Sequence, residues 1–177
     1  MTVESREIAR EPAGEARRFV VERARAEDTD AIAPLFDAYR RFYGAATDLP
    51  GARAFIAARL ERAESVILLA RALPRASEPS RAVGFAQLYP SFSSVSMGPI
   101  IVLNDLFVLP SWRRSSVARS LVEETARHGE RVGAIRIHLS TQLTNAPARR
   151  LYQSLDFVAD QEFVHLSLAL AVRAAES

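Results

Sequence analysis

The sequence predicts an α/β fold built as one domain around a single sheet. The chain has 177 residues, 49% of them hydrophobic, which is enough for one buried core but too little for two ordinary domains. Segments with the two-residue period of strands alternate with segments at helical spacing. Their order, β-α-α-β-β-β-α-β-α-β-β, implies one sheet with helices packed on its faces.

The first half of the chain supplies three strands and two helices. Strand signals are runs of β-branched and apolar residues, and helix signals are apolar residues spaced three and four apart. These signals predict, in order, a strand over 18–24, helices over 27–44 and 51–63, and strands over 65–72 and 81–90 joined by a hairpin-like connection.

The most apolar run, PIIVLNDLFVLP over residues 99–110, predicts a central strand covered by helices on both faces. Asn104 and Asp105 interrupt it, and polar groups in a central strand need partners or a bulge. The remaining signals predict, in order, a helix over 116–132, a strand over 134–139, a helix over 145–155, and strands over 157–160 and 162–172.

Composition excludes several classes of function. The chain has no cysteine, so disulfides and thiolate nucleophiles are excluded. The 23 basic residues are all arginine, but they are scattered among 21 acidic residues with a net charge of +2, which argues against a nucleic-acid partner. The three histidines lack metal-ligand spacing, so we expect structural roles for them and no metal: His128, His138 and His165.

The ends of the chain carry no targeting signal that we recognise. Residues 1–18 mix Glu with Arg and lack the apolar core of a signal peptide. No window approaches the roughly 20 apolar residues of a membrane span. We therefore expect flexible tails over 1–18 and 172–177, a folded domain over 19–171, a cytoplasmic location and no membrane partner.

The turn RRSSVA, residues 113–118, lies between the apolar strand and the next helix. A helix beginning at Ser115 or Ser116 presents backbone N–H groups that have no partner within the helix, and its dipole adds positive potential there. Such an end is suited to phosphate. Two interpretations remain open at this point: the serine hydroxyls bind an anion together with the arginines, or Ser115 only caps the helix and the arginines are solvated.

Two stretches, LNDLFVLPSWRRSSVARSL and NAPARRLYQSLDF, resemble the signature motifs of the GNAT (GCN5-related N-acetyltransferase) superfamily. The first family pattern is Arg/Gln-x-x-Gly-x-Gly/Ala, and the chain has Arg113, Ser116 in place of glycine, and Ala118. The second is Asn-x-x-Ala-x-x-Leu-Tyr-x-x-x-Gly-Phe, and the chain has Asn145, Ala148, Leu151, Tyr152, Asp156 in place of glycine, and Phe157.

This resemblance implies a central mixed, mostly antiparallel sheet of about six to seven strands with helices on both faces. It also implies acetyl-CoA as cofactor, with the pyrophosphate on the turn amides and the pantetheine arm alongside a strand that diverges from its neighbour. The residues implied to bind it are Leu106, Phe107, Val108, Arg113, Arg114, Ser115, Ser116, Val117, Ala118, Arg119 and Asn145.

The implied reaction is direct transfer of the acetyl group to a small primary amine in a ternary complex. The amine must lose a proton before it attacks, and Asp105 beside Asn104 is the candidate acceptor, although a structural carboxylate at a bulge is an equal alternative. Tyr152 is the candidate donor to the leaving thiolate. The resemblance is nearest to diamine (spermidine/spermine) acetyltransferase-like members, which usually have Glu where this chain has Asn104.

The acceptor pocket is expected to be aromatic. Tyr39 and Tyr43 on the first helix and Tyr89 beyond the third strand are the candidate walls, and Asp37 and Asp105 are acids that could attract a cation. The alternatives are that these aromatics belong to the core, and that the protein is a catalytically weakened GNAT-fold module that binds CoA for regulation. The family resemblance also makes a homodimer a possible oligomeric state.

Overall fold

The computed structural model describes residues 18–74 and 80–170. The predicted tail over 1–18, apart from residue 18, and the predicted tail over 172–177 lie outside the described residues. The chain divides into two compact units, Met1–Ser140 and Thr141–Ser177. None of the helices within the described ranges is long and apolar enough to cross a membrane.

The first unit is built on a five-stranded sheet with the strands side by side in chain order. The first four strands pair antiparallel, and the fifth pairs parallel to the fourth. The sheet is therefore mixed and mostly antiparallel, as predicted. Its strands are β1 (Phe19–Arg23), β2 (Val66–Ala72), β3 (Arg81–Ser93), β4 (Gly98–Val108) and β5 (Ile137–Leu139).

Helices cover both faces of this sheet. The helices of the first unit are α1 (Thr29–Phe42), α2 (Leu49–Glu61) and α3 (Val117–Arg131). One face packs against α1 and α2 through a buried apolar cluster that includes Ile32, Phe36, Ile56, Phe85 and Phe107. On the other face Gly84 of β3 lies so close to α3 and β4 that an added Cβ would stand 2.8 Å from the Phe107 carbonyl oxygen and 3.3 Å from a Val117 methyl.

The second unit contains one helix, α4 (Ala146–Gln153), within the described residues. Like α1, α2 and α3, it ends in a Schellman motif, in which one residue takes a positive φ and donates its own amide and the next one back onto the last turn. The left-handed positions are Gly44, Ala63, Gly133 and Asp156, with φ of 86°, 51°, 69° and 63°. Glycine adopts this conformation without strain, so backbone strain at these helix ends is expected only at Ala63 and Asp156.

The predicted count of six to seven strands is wrong for the described part of the chain, which has five. The predicted strands over 157–160 and 162–172 are missing, because residues 157–170 form no ladder with another segment and most of their apolar side chains are exposed. Residues 171 and 172 lie outside the described ranges. Alternating apolar residues predict a strand with one buried face, but they do not supply the partner whose hydrogen bonds make a sheet.

Candidate active site

A bulge in β4 sets the geometry of the candidate site. Gln87 of β3 is opposite Asp105, and Leu88 is opposite Leu103, so Asn104 is the extra residue of β4. The interruption by Asn104 and Asp105 was expected to need hydrogen-bond partners or a bulge, and β4 has the bulge. It leaves the Asn104 side chain exposed and buries Asp105, which is 5% exposed.

Asp105 is a buried carboxyl group with two neutral hydrogen-bond donors. The Asn104 side-chain Nδ2 donates to Asp105 Oδ2 at 3.1 Å, and the Tyr39 hydroxyl of α1 donates to the same carboxyl group. Burial raises the pKa of Asp105 above its ordinary value, and the two hydrogen bonds only partly oppose this effect. A carboxyl group with a raised pKa is a stronger base than an ordinary Asp and is suited to taking up a proton.

Aromatic side chains surround this carboxyl group on the α1 side. The ring of Tyr39 is 5.1 Å from that of Tyr43, centre to centre, and 6.5 Å from that of Phe107. Burial, and next the negative charge of Asp105, raise the pKa of Tyr89. The structure thus brings Tyr39 and Tyr89 to Asp105, while Tyr43 packs on Tyr39 and is 44% exposed.

Asp37, the other acid considered for attracting a cation, is engaged in the loop between α1 and α2. It accepts hydrogen bonds of 2.7 Å from the Thr47 hydroxyl and from the Asp48 amide. The Asp48 amide is the main cause of a pKa below the usual range for Asp37, followed by Thr47. Its charge therefore stabilises this loop.

Gln87, which the sequence analysis did not single out, is fully buried next to this group. It stands between Ile67 of β2 and Asp105 of β4 in the register of the sheet. Its Nε2 donates to the Ser65 hydroxyl at 3.0 Å. The available signal was a single amide residue within the apolar strand GFAQLYP.

The β4 strand has an open edge beyond the bulge. β5 pairs with β4 only from Ile101 to Leu103, whereas β3 stays paired with β4 as far as Val108. The segment 104–108 therefore continues past β5 with no strand on that side among the described residues of the first unit. Backbone groups at such an edge can pair with an extended ligand.

The turn between β4 and α3 exposes backbone amides in a left-handed bend. Arg114 and Ser116 have φ of 60° and 66°. The first helical hydrogen bond of α3 runs from the Ser120 amide to the Ser116 carbonyl at 2.9 Å, so the amides of Ser116, Val117 and Ala118 precede it. Left-handed residues alternating with right-handed ones turn successive N–H groups inward, which favours an anion.

The interpretation that Ser115 caps the helix is wrong. The helix begins at Val117, and the Ser116 side chain makes no capping hydrogen bond. The Ser115 hydroxyl donates backwards to the Trp112 carbonyl and does not serve as the acceptor that caps a helical amide. The helix N-terminus therefore lacks a serine hydroxyl cap, which leaves its amides to another acceptor.

The three arginines of this turn differ in their contacts. Arg113 donates from Nε to the Val108 carbonyl at 3.4 Å, with its guanidinium carbon 5.8 Å from the centre of the Phe42 ring. Arg119 lies 3.7 Å from Glu123 one turn along the helix. Arg114 is exposed. The positive charge near the turn is thus partly anchored by β4 and α3.

In the second unit, the predicted motif residues form the two ends of α4. The Asn145 side chain caps the start of the helix by accepting from the Ala148 amide at 3.3 Å. At the other end the Phe157 amide donates to the Tyr152 carbonyl at 3.1 Å, and the two rings lie 5.6 Å apart. This ring contact is the apolar contact of a Schellman motif.

Comparisons with known proteins agree with this arrangement. The model of the acetyltransferase (GNAT) family matches residues 32–157. The chain is 45% identical over 148 residues to the uncharacterized N-acetyltransferase YhfO of Bacillus subtilis (strain 168), covering 84% of this chain and 95% of that protein. A crystal structure of a probable acetyltransferase is 38% identical, with a TM-score of 0.77, over 87% of this chain and 99% of that one.

A more distant structure shares the fold alone. Aminoglycoside N-acetyltransferase AAC(6')-Iy in complex with CoA superposes with a TM-score of 0.68 at 20% identity, over 90% of this chain and 99% of that one.

Proposed function

The chain belongs to the acetyltransferase (GNAT) family and is an N-acetyltransferase, and on this premise we propose that it transfers the acetyl group of acetyl-CoA to a primary amine of a small molecule by direct attack in a ternary complex. The observation that carries the proposal is the pairing, in one unit, of a turn with open amides and a buried carboxyl group of raised pKa. The first suits the cosubstrate, and the second suits the acceptor amine.

The residues of the turn and of the β4 edge fit acetyl-CoA. The amides that precede the first hydrogen bond of α3 suit the diphosphate, and the open edge of β4 suits the amide groups of the pantetheine arm. The thioester supplies an activated acetyl group. The relative solved with CoA supports this choice of cosubstrate. The proposed binding residues are Leu106, Phe107, Val108, Arg113, Arg114, Ser115, Ser116, Val117, Ala118, Arg119 and Asn145.

Asp105 takes a proton from the acceptor amine in this proposal. A primary ammonium group has a pKa near 10 and cannot attack until it is deprotonated. Burial makes Asp105 a stronger base than an exposed Asp, and Asn104 and Tyr39 orient its carboxyl group. A backbone N–H of the segment 106–108 meets the negative charge that develops on the acetyl oxygen.

Tyr152 donates a hydrogen bond or proton to the sulfur that leaves. The support is its place in the second motif and the Schellman end of α4, which fixes the Tyr152 ring against Phe157. Asn145 combines its capping of α4 with a contact to the pantetheine arm.

The acceptor is proposed to be a small amine that packs on aromatic rings. Tyr39, Tyr43 and Tyr89 form its walls, because two of them adjoin Asp105 and the third is exposed beside Tyr39. A polyamine is one candidate, following the resemblance to diamine acetyltransferases, and an aminoglycoside is another, following the distant structural relative. We further propose a cytoplasmic enzyme, with a homodimer as one assembly to be tested.

The test is release of free thiol from acetyl-CoA in the presence of a panel of amines, including polyamines and aminoglycosides. We expect release with at least one amine, and a fall in kcat of about 100-fold or more in Asp105→Asn, because removal of a general base costs about that factor. Leu88→Met, a near-isosteric change on the other face of β3, is the matched control. Saturable CoA binding with no release for any amine would instead support the regulatory module.

A further inference from the structure

Gln87 is a fully buried amide that lies opposite Asp105 in the sheet. The three central strands place residues of one face in rows across the sheet. One row is apolar, with Leu69, Phe85 and Phe107 opposite one another, and the next contains Ile67, Gln87 and Asp105. Residues directly opposite on antiparallel strands have Cβ atoms about 5 Å apart, so the side chains of Gln87 and Asp105 are neighbours on this face of the sheet.

Only half of this amide has a partner. Nε2 donates to Ser65, which lies towards β2. Oε1 is buried and accepts no hydrogen bond from the described residues. The two atoms of an amide point in different directions, so an Nε2 that is held on the β2 side turns Oε1 towards β4. A buried acceptor without a donor is costly, so such an atom calls for an explanation.

A protonated Asp105 supplies the missing donor. An ionised carboxylate offers only acceptor oxygens, whereas the neutral acid offers one O–H group. The other groups that face Asp105, Tyr39 from α1 and Asn104 from β4, act as donors to it, whereas Gln87 Oε1 is a buried acceptor with no donor among the described residues. Tyr89 of β3 is under the charge of Asp105, and the charges of Arg59 of α2 and of Glu64 also act on Tyr89.

We propose that Gln87 is a positioning residue for acetyl transfer, whose side-chain carbonyl accepts the hydrogen bond of the Asp105 carboxyl group once that group has taken the proton of the acceptor amine. This inference rests on the proposed function for its place in the reaction. In the step concerned, one N–H bond of the ammonium group breaks and its electron pair stays on nitrogen as the nucleophile. The proton forms an O–H bond on Asp105, points at Gln87 Oε1, and is later released to solvent.

The test follows the titration of Asp105 directly, by the carbon-13 resonance of its carboxyl group, assigned with Asp105→Asn. Gln87→Glu has the same shape but brings a second acid to Asp105. We expect the pKa of Asp105 to rise by about one pH unit or more, because two adjacent carboxylates resist double ionisation. Gln87→Met removes the acceptor of the neutral acid, so we expect the pKa of Asp105 to fall by about half a pH unit.

Ser65→Ala provides a milder variant if either change at Gln87 prevents folding. It frees the amide to turn its Nε2 towards the carboxylate, so the pKa of Asp105 should fall. Leu88→Met, equally buried on the other face of β3, should leave the titration unchanged. An unshifted Asp105 titration in the folded variants would overturn the inference.

The pH dependence of kcat/KM separates this inference from the proposed function. If Asp105 is the base, the acidic limb should move with the carboxyl titration in each variant. If the carboxyl titration of Asp105 shifts but the acidic limb of the kcat/KM profile does not, Gln87 still accepts the hydrogen bond of the protonated Asp105. In that case only the assignment of Asp105 as the general base is wrong.

Discussion

The turn that leads into α3 and the turn that follows α4 each hold one non-glycine residue in the left-handed region, Ser116 with φ 66° and Asp156 with φ 63°. In both places the resembled family has glycine. Outside glycine this conformation costs about 1 kcal/mol, so two substitutions of the same kind have been tolerated at similar strain. The two turns nevertheless use the conformation differently.

At Asp156 the bend uses up hydrogen-bonding groups. The amides of Asp156 and Phe157 donate to the carbonyls of Gln153 and Tyr152 at 3.2 and 3.1 Å, which ends the helix. At Ser116 the bend precedes a helix, and the first helical hydrogen bond begins only at Ser120. A left-handed residue after a helix thus satisfies carbonyls, and one before a helix leaves amides available. The same backbone feature is structural in the second unit and suited to ligand binding in the first.

The largest expected effect separates the chemistry of Tyr152 from its packing. Tyr152→Phe keeps the ring that packs on Phe157 but removes the hydroxyl, so we expect a folded protein with a kcat about 100-fold lower and CoA affinity nearly unchanged. Thermal unfolding, single-site calorimetry with CoA and thiol release would measure the three quantities. An equal kcat would reduce Tyr152 to its part in the Schellman motif.

The next effect tests whether the first turn binds an anion. Ser116→Asp should retain the backbone, since Asp156 shows that Asp adopts this conformation in the same chain. The added carboxylate repels a diphosphate, so CoA affinity should fall about 10- to 30-fold.

The reciprocal change, Asp156→Ser, is the matched control for this experiment. It should leave the dissociation constant for CoA as it is in the natural chain. Calorimetric titration of both variants checks the pair, and equal affinities for CoA would mean that the diphosphate does not bind at Ser116.

The end of α2 is a third left-handed position, and no ligand is proposed there. Ala63 ends α2 with φ 51° and has no polar side chain that could ease the left-handed conformation. Ala63→Gly should raise the free energy of unfolding by about 1 kcal/mol, because glycine removes the clash of Cβ with the backbone. Urea denaturation measures this change, and a loss of stability would mean that the strain at Ala63 is negligible.

Local chemistry in the sequence predicted much of this arrangement. The helical periods predicted the four α-helices of the described residues, and the polar pair Asn104 and Asp105 indicated a strand that needs partners or a bulge, because each feature depends on neighbours along the chain. The register of the sheet could not be predicted this way, so the position of Gln87 opposite Asp105 remained hidden. The same limit explains the error over 157–170, where alternation was present and a pairing strand was not.

The use of the serine hydroxyls was also beyond the sequence. Ser115 and Ser116 are residue types that commonly cap helices, and only the hydrogen bonds of the folded chain show that neither side chain serves as a cap. A positive φ depends on how the strand before the turn and the helix after it are held apart. It therefore belongs to the fold and cannot be read from two serines.

The smallest effect is expected at the second turn itself. Asp156→Gly should stabilise the protein by about 0.5 kcal/mol, less than Ala63→Gly, because Asp tolerates the left-handed region better than alanine does. CoA affinity should not change, since the amides at this turn already donate to α4. Denaturation and calorimetry on the same preparation provide both values. If Asp156→Gly strengthened or weakened CoA binding, the second turn would have to contribute to the ligand site, and the division between a structural turn and a binding turn would fail.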